Sequence, residues 1–418
     1  MVRIFPFAAV RPDPLFAAGI ASVPYDVVTA EEARASIGEN PQSFLRVSRA
    51  DAELPDLRPD DPQVYERARS RFQEMLAGGL MQKDRSPGFY LYRVIQDGAK
   101  FHGLCCCLDV RDYEEGHIRK HELTRYDKEA DRTRHIETVN AHTGPVVLLY
   151  KDRDEIGAVI RSLDRSGTPI SEVCVAPGVV HQVFRVEDQE TVLKLSTLFA
   201  GVERVYIADG HHRAKSAANV AARRQAAGTA GAETGRFMGV IFPAGEVKIH
   251  GYSRLVTDLG PYSSDEFIGE LQRIFSIRPH GPIDPEAFQI VPEDHGSGRR
   301  VFHMYLEAAW YECSFPPPAS GDLIASLDVS VLQSKVLSGL LGISDPRGDP
   351  RLQYLGGARP LSDLEALVDG GKFRAAFAMQ PVHVDTVTGI ADAGGIMPPK
   401  STWFEPKLLS GLLVHTLD

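Results

Sequence analysis

The sequence predicts an α/β protein with a mixed sheet of α+β character. Three observations carry that prediction. Apolar runs of strand length alternate with helix-periodic segments along most of the chain. An Asp-Gly pair, Asp97-Gly98, lies between two β-rich runs, as in a two-residue hairpin. A short apolar strand, Val205-Tyr206-Ile207-Ala208, leads through a polar step into an alanine-faced helix.

Taken in order, the first segment reads strand, turn, helix. "ASVPYDVV" is extended and interrupted by Pro24, and Thr29 with Glu32 forms a capping box that opens a helix ending near Gly38 and "ENP". "SFLRVS" reads as a strand. After a proline-rich loop from Asp51 to Pro62, Val64, Ala68, Phe72, Met75 and Leu76 mark a helix face that stops at Gly78. "FYLYRVI" and "KFHGLCCCLDVRDY" flank the hairpin turn. A charged stretch from His117 to His142 precedes the buried strand "PVVLLY". "HQVFRV" is a strand and "ETVLKLSTLFAG" a helix. Ala214, Ala217, Ala218, Ala221 and Ala222 then recur at i, i+3, i+4, i+7 and i+8, one helix face, and "RFMGVIFP" is a further strand. Beyond Gly245, "SSDEFIGELQRIF" and "DVSVLQSKVLSGLLGI" read as helices, "RVFHMYLEAAWYECSF" as extended chain and "DPRGDPRLQY" as loop. The division expected is an N-terminal α/β region, 1–250, and a C-terminal α/β region, 251–418.

At 418 residues the chain is long enough for two or three domains. With 46 Lys plus Arg against 56 Asp plus Glu, the net charge is -10, which repels a phosphate backbone and argues against nucleic acid as a general partner. No run reaches the roughly 18 to 20 apolar residues of a membrane helix, and Pro6 and Arg11 interrupt the N-terminus, so neither a span nor a signal peptide is expected. Cys105, Cys106 and Cys107 are contiguous on a strand and point alternately to opposite faces. They cannot close one tetrahedral metal site and read as small hydrophobes in a buried strand. A reducing cytoplasm is the expected compartment.

Three constellations carry chemistry. In "ADGHHR", Gly210 permits close backbone approach, the helix start offers unpaired N–H groups, and Arg213 offers a planar fork of donors, all suited to phosphate. His211 and His212 add donors, with His211 also a catalytic candidate. Asp209 fits as a base toward a hydroxyl or as an Mg²⁺ ligand, with a mere helix cap as the bland alternative. The step has neither the Walker ending nor a spaced-glycine dinucleotide fingerprint. In "HELTRYDKEADR", Glu122 offers a carboxylate before a helix, with Asp131 and Arg132 as further candidates, against the bland account of a solvated helix. In "MPPKST", Lys400, Ser401 and Thr402 place a cation beside two hydroxyls, a set suited to phosphate that the C-terminal region is expected to contribute to the site. His250 and Arg254 are weaker candidates, and the scattered histidines, among them His280, His295 and His303, show no ligand spacing.

"VPYDVVTAEEA", "NPQSFLRV", "HELTRYDKEADR", "YIADGHHRAKSA", "LDVSVL" and "MPPKSTWFEPK", in this order over residues 23 to 407, resemble the bacterial and archaeal family catalogued as domain of unknown function 1015. The Asp-Gly-His-x-Arg step is also similar to the phosphate-binding loop of the ParB/sulfiredoxin superfamily, which includes nucleotide-dependent free-serine kinases. That resemblance implies a ParB/sulfiredoxin-like core with a large C-terminal extension or second domain. It carries over a phosphate-binding role for Asp209, Gly210, His211 and Arg213, with His212 in the variable slot. The kinase glutamate does not align, and Glu122 takes that role on chemistry alone. The expectation is a nucleotide-dependent phosphotransferase, with ATP or ADP and Mg²⁺, acting on a small hydroxyl metabolite such as free serine. The alternatives are a phosphohydrolase using the same cradle and a ParB-like nucleotide-binding module without catalysis.

Overall fold

The chain folds into two units, and its C-terminal residues return to the first of them. The structure, a computed structural model, describes residues 1–280, 300–316, 322–357 and 359–418, so His295 lies outside the described residues. One unit comprises Met1–Val247 with Pro406–Asp418, and the other Lys248–Glu405. The division at 250/251 assigns residues 406–418 to the second region. In the structure Val414 bridges to Val10, Ser410 to Ser22, and His415 pairs with His142. Leu412, Leu413, Val414 and Leu417 are buried there. A tail held by such distant pairing leaves no break in composition to mark it.

The first unit is built on a nine-stranded mixed sheet. Its strands are β1 (Ile4–Phe5), β2 (Phe89–Gln96), β3 (Ala99–Asp109), β4 (Ile118–Arg119), β5 (Val146–Tyr150), β6 (Ser171–Ala176), β7 (Val179–Val186), β8 (Val205–Asp209) and β9 (Arg236–Pro243). They lie in the order β4-β8-β5-β9-β3-β2-β7-β6, with β1 beside the end of β3. β2 and β3 form the expected hairpin: Asp97 and Gly98 have φ of 51° and 77°, and Gln96 pairs with Ala99. Cys105, Cys106 and Cys107 sit in β3 between β2 and β9 with no exposure, and burial pushes their thiol pKa values up. They behave as hydrophobes.

The helices expected in this unit are present, with one correction, and Asp154–Ser166 is a helix the sequence reading did not name. α1 (Ala30–Glu39) carries the Thr29/Glu32 capping box in full. "SFLRVS" is not a strand: α2 (Leu45–Ser48) is a single helical turn. Phe44 and Val47, three residues apart, share one cluster with Val64, Ala68 and Phe72 of α3 (Pro62–Ala77), a spacing only a helical turn satisfies. α4 (Tyr126–Val139) holds most of the charged stretch. α5 (Asp154–Ser166) and α6 (Gln189–Ala200) precede α7 (His211–Ala226). Ala214, Ala217 and Ala218 of α7 join Ile207, Leu148 and Cys106 in the main core. Ala221 packs at its margin, while Ala222 is exposed. The opposite face of α7 takes α4: Ser216 Oγ donates to the Glu129 carbonyl at 3.1 Å, and Arg223 pairs with Glu137 at 3.0 Å.

The second unit has a six-stranded antiparallel sheet of β10 (Ser253–Val256), β11 (Ser276–His280), β12 (Arg300–Leu306), β13 (Ala309–Phe315), β14 (Leu352–Leu355) and β15 (Ala375–Ala378). Their order is β11-β13-β12-β15-β10-β14. "RVFHMYLEAAWYECSF" is a hairpin rather than one run, turned at Glu307-Ala308, and part of the expected loop "DPRGDPRLQY" is β14. α8 (Ser264–Gln272) carries a second capping box, Ser263/Glu266, and α9 (Leu361–Asp369) covers a sheet face through Leu361 and Leu364. Residues 328–337 are helical as expected, the stretch Leu332–Leu337 as a π-helix.

Candidate functional site

A β-bulge aims the polar step. Along β8, Tyr206 pairs with Leu149 and Ile207 with Leu148, but Asp209 pairs with Val147, so Ala208 is an extra residue. On a regular strand Asp209 would share the face of Val205 and Ile207, both in the core. The bulge turns it away. Gly210 then takes φ 93° as the N-cap of α7, and no side chain caps the helix. The bland alternative, Asp209 as a cap, is therefore not what the structure contains. A Cβ on Gly210 would lie 3.0 Å from Arg213 Nε, so glycine serves both the left-handed turn and the packing of the guanidinium.

Asp209 is held between two cations. Its Oδ1 accepts from Lys407 Nζ at 3.0 Å and its Oδ2 from Arg213 Nη2 at 2.6 Å. Burial alone would raise its pKa, but Lys407 and Arg213 hold it well below the ordinary aspartate value. Such a carboxylate is a weak base, which corrects the expectation that Asp209 takes a proton from a hydroxyl. Nor does it fit a resident Mg²⁺: both oxygens face cations, and Asp209 belongs to no three-ligand cluster among the described residues. Its evident work is to orient Arg213 and Lys407.

Arg213 donates through Nη1 to the Pro145 carbonyl and through Nη2 to Asp209, while its Nε is buried with no hydrogen-bond partner among the described residues. It lines a cleft with Pro24, Tyr25, Arg132, His142, Gly144 and Ser410. Arg132 enters from α4, donating to Asp131 Oδ2 at 2.8 Å and lying 4.2 Å over the Tyr25 ring. Asp131 accepts from Tyr65 at 3.0 Å. His135, also on the cleft wall, is driven to about 4 chiefly by burial, then by Arg132, and is neutral at pH 7.

The histidines of the step part company. His211 is buried against His121, ring centroids 4.6 Å apart and edge to face, with Glu122 Oε2 at 4.0 Å from its Nδ1. Burial, then His121, keeps His211 well below the ordinary value, and burial brings His121 to about 4. Both are neutral near pH 7. His212 accepts the Arg125 backbone N–H on Nε2 at 3.1 Å, supporting the start of α4 rather than reaching toward a ligand.

The first unit thus brings together Asp209, Gly210, His211, Arg213 and Glu122. Lys400, Ser401 and Thr402 belong to the second unit. There Lys400 has φ 58°, its ammonium 5.1 Å from the Tyr252 ring, and the buried Ser401 donates to the Pro398 carbonyl at 2.6 Å. Arg254, also buried, donates to the Pro399 carbonyl at 3.4 Å, and His250 pairs with Glu405 at 2.9 Å. Both latter residues serve the second unit's own structure.

Sequence reasoning missed Lys407, Tyr25 and Ser410. Lys407 stands in the quoted "WFEPK", yet its partner Asp209 lies 198 positions away and no local signal separates it from Lys400. Tyr25 lies in "VPYDVV", where an aromatic residue beside Asp26 was the available hint.

The family model described as "Protein of unknown function (DUF1015)" matches residues 4–330. No curated protein matches the chain. Among solved structures, the chain is similar to a conserved hypothetical protein from Pyrococcus furiosus, at 14% identity and TM-score 0.37, over 74% of this chain and 94% of that one. It is also similar to a mutant free serine kinase in complex with ADP, at 14% identity and TM-score 0.37, over 74% of this chain and 90% of that one. SbnI with C-terminal truncation from Staphylococcus aureus is similar at 10% identity and TM-score 0.36, over 74% and 86% of the two chains.

Proposed function

The chain belongs to the DUF1015 family, and from that premise we propose that its first unit binds a nucleotide phosphate and transfers a phosphoryl group to a small hydroxyl metabolite. The observation that carries the reading is Arg213. In a chain of net charge -10, this arginine is fixed by Asp209 and the Pro145 carbonyl, keeps one buried donor unspent and lines a cleft shared with Arg132. The uncapped start of α7 adds backbone N–H groups and the positive end of the helix dipole. The resemblance of the Asp-Gly-His-x-Arg step to the loop of free-serine kinases supports nucleotide as donor and serine as acceptor.

In this reading Arg213 and Arg132 take the phosphate oxygens, and Gly210 lets them come close to the backbone. Asp209 and Lys407 are positioning residues. Glu122, with its side chain 37% exposed and His211 beside it, is the group left to accept the hydroxyl proton. The proposal is built from the first unit alone, so Lys400, Ser401 and Thr402 have no part in it.

Calorimetry with ADP, ATP and AMP, followed by ³¹P NMR of ADP or ATP with free serine, tests it. Wild type binds at least one nucleotide and forms a phosphate ester. Arg213→Ala loses binding, whereas Glu122→Gln keeps binding and loses turnover by about 10²–10⁴. A wild type indifferent to all three nucleotides, or an Arg213→Ala variant that binds them as well as wild type, overturns the reading.

A further inference from the structure

His280, His303 and Glu312 stand on three neighbouring strands of the second unit's sheet. β13 lies between β11 and β12; His303 is directly opposite Glu312, and His280 is opposite Trp310, two residues along from Glu312. The pleat therefore puts all three on one face, with Tyr305 and Trp310. β11 and β12 are not neighbours, yet the two imidazoles lean over the strand between them until their centroids are 5.7 Å apart, at 70°. One donor atom from each of the three side chains lies within 4.8 Å of the other two.

We propose that these three side chains bind a divalent transition metal ion, with zinc the natural occupant. Two imidazole nitrogens and one carboxylate oxygen are a donor set for Zn²⁺ or Co²⁺ rather than for Ca²⁺ or Mg²⁺, which take oxygen shells. Metal–ligand bonds of about 2.0–2.2 Å ask the donor atoms to draw slightly closer, which side-chain rotation of the glutamate supplies. Three protein ligands leave a fourth position for water, the arrangement of a site able to act on a ligand rather than only to brace the fold. His303 is 4% exposed, while His280 and Glu312 are half-buried, so the cluster is anchored on one side and reachable on the other.

A second cluster, Cys107, Glu233 and His415 in the first unit, has comparable spacing but a ready explanation. His415 donates to Glu233 at 2.8 Å, Glu233 pairs with Arg236 at 2.8 Å, and Cys107 is a buried thiol with a raised pKa. That network fastens the C-terminal tail without an ion. The two clusters also differ in what they would show: sulfur bound to cobalt gives an intense ligand-to-metal charge-transfer band, and the histidine–carboxylate cluster gives none.

The test uses the full chain, stripped with chelator and titrated with Co²⁺ alone. One Co²⁺ per chain is expected to bind with the visible absorption of a four- or five-coordinate ion and no sulfur band, and Zn²⁺ to displace it. Glu312→Gln and His280→Asn are each expected to lose stoichiometric binding while keeping the wild-type circular dichroism in metal-free buffer. His303→Ala provides a third arm, read only if it folds. Absence of stoichiometric binding by wild type, binding unchanged in both half-buried variants, or a sulfur band that disappears in Cys107→Ala each overturns the proposal. None of these readouts depends on nucleotide, so this site and the phosphate cleft stand or fall separately.

Discussion

The two units each close a long hairpin with a two-residue turn, and both turns hold their two residues at positive φ. Asp97 and Gly98 in the first unit have φ of 51° and 77°, and Glu307 and Ala308 in the second have 51° and 55°. One turn announces itself, because Asp-Gly is the pair this conformation favours. The other does not: Glu-Ala is a helix-forming pair held in a left-handed turn by the strands on either side. In the first unit local preference and tertiary structure agree; in the second, pairing overrides preference. The same contrast separates the two polar centres. Asp209 and Arg213 are four residues apart and visible as a motif, whereas His280, His303 and Glu312 meet only through strand register.

The largest expected effect is acid sensitivity, concentrated in the buried histidines of the first unit. In the first unit, burial brings His121, His135 and His181 to about 4 and His142 to about 3. Unfolded, each takes up a proton near about 6.5, so between those values the unfolded state holds more protons and stability falls as pH drops. The four act in the same direction, so the unit loses stability as pH drops through that interval. In the second unit burial raises the pKa of Asp328. Folding thus favours its protonated form more than the unfolded chain does, so its contribution grows as pH falls through its folded value. Hydrogen exchange followed by mass spectrometry from pH 7 to 4.5 should show peptides of β8 and α7 losing protection before those of β10 and β15. The reverse order breaks the contrast.

This also marks how far the chain could be read without coordinates. The α7 face, the capping box at Thr29, the first hairpin and the buried cysteine strand depend on neighbours within about eight residues, and the structure contains them all. "SFLRVS" could be misread because a single helical turn with Phe44 and Val47 on one side is too short to show a period. Lys407, Ser410 and the tail of the first unit could not be read, since their partners are Asp209, Ser22 and Val10. Nor could the sign of Asp209's role: the motif shows a carboxylate beside an arginine, and only the arrival of Lys407 on the second oxygen turns a candidate base into a clamp.

A smaller effect tests that clamp. Asp209→Asn keeps the shape of the side chain but leaves Lys407 and Arg213 without their shared anion. Breaking a buried pair in this way costs about 3–5 kcal/mol, and Asp209, at 23% side-chain exposure, belongs at the lower end. The carboxylate's depressed pKa means that its contribution is present above about pH 4, its unfolded value, and fades as pH falls through the folded one. Urea unfolding at pH 7, where that contribution is fully present, should therefore show the whole cost. An Asn variant equal to wild type at pH 7 would remove the clamp from the account. Gly210→Ala should cost less, about 1–2 kcal/mol for the left-handed conformation, to which the yielding of Arg213 before the new Cβ at 3.0 Å adds a small amount. Its ADP affinity should fall together with its stability.

The smallest effect returns to the turns. Ala308 has φ 55° where glycine would meet no steric cost, and Glu307 beside it accepts from Ser264 Oγ at 2.7 Å and from Arg374. Changing Ala308 alone keeps those bonds and should stabilise the second unit by about 0.5–1 kcal/mol, the left-handed strain removed less the added freedom of glycine in the unfolded chain. The matching change in the first unit, Gly98→Ala at φ 77°, should destabilise it by a similar amount. Urea midpoints of the two variants should move in opposite directions at equal slope. If Ala308→Gly gained nothing, the β12–β13 pairing would not be bearing the turn's strain. The His303–Glu312 register would then rest on that pairing less firmly than the metal proposal requires.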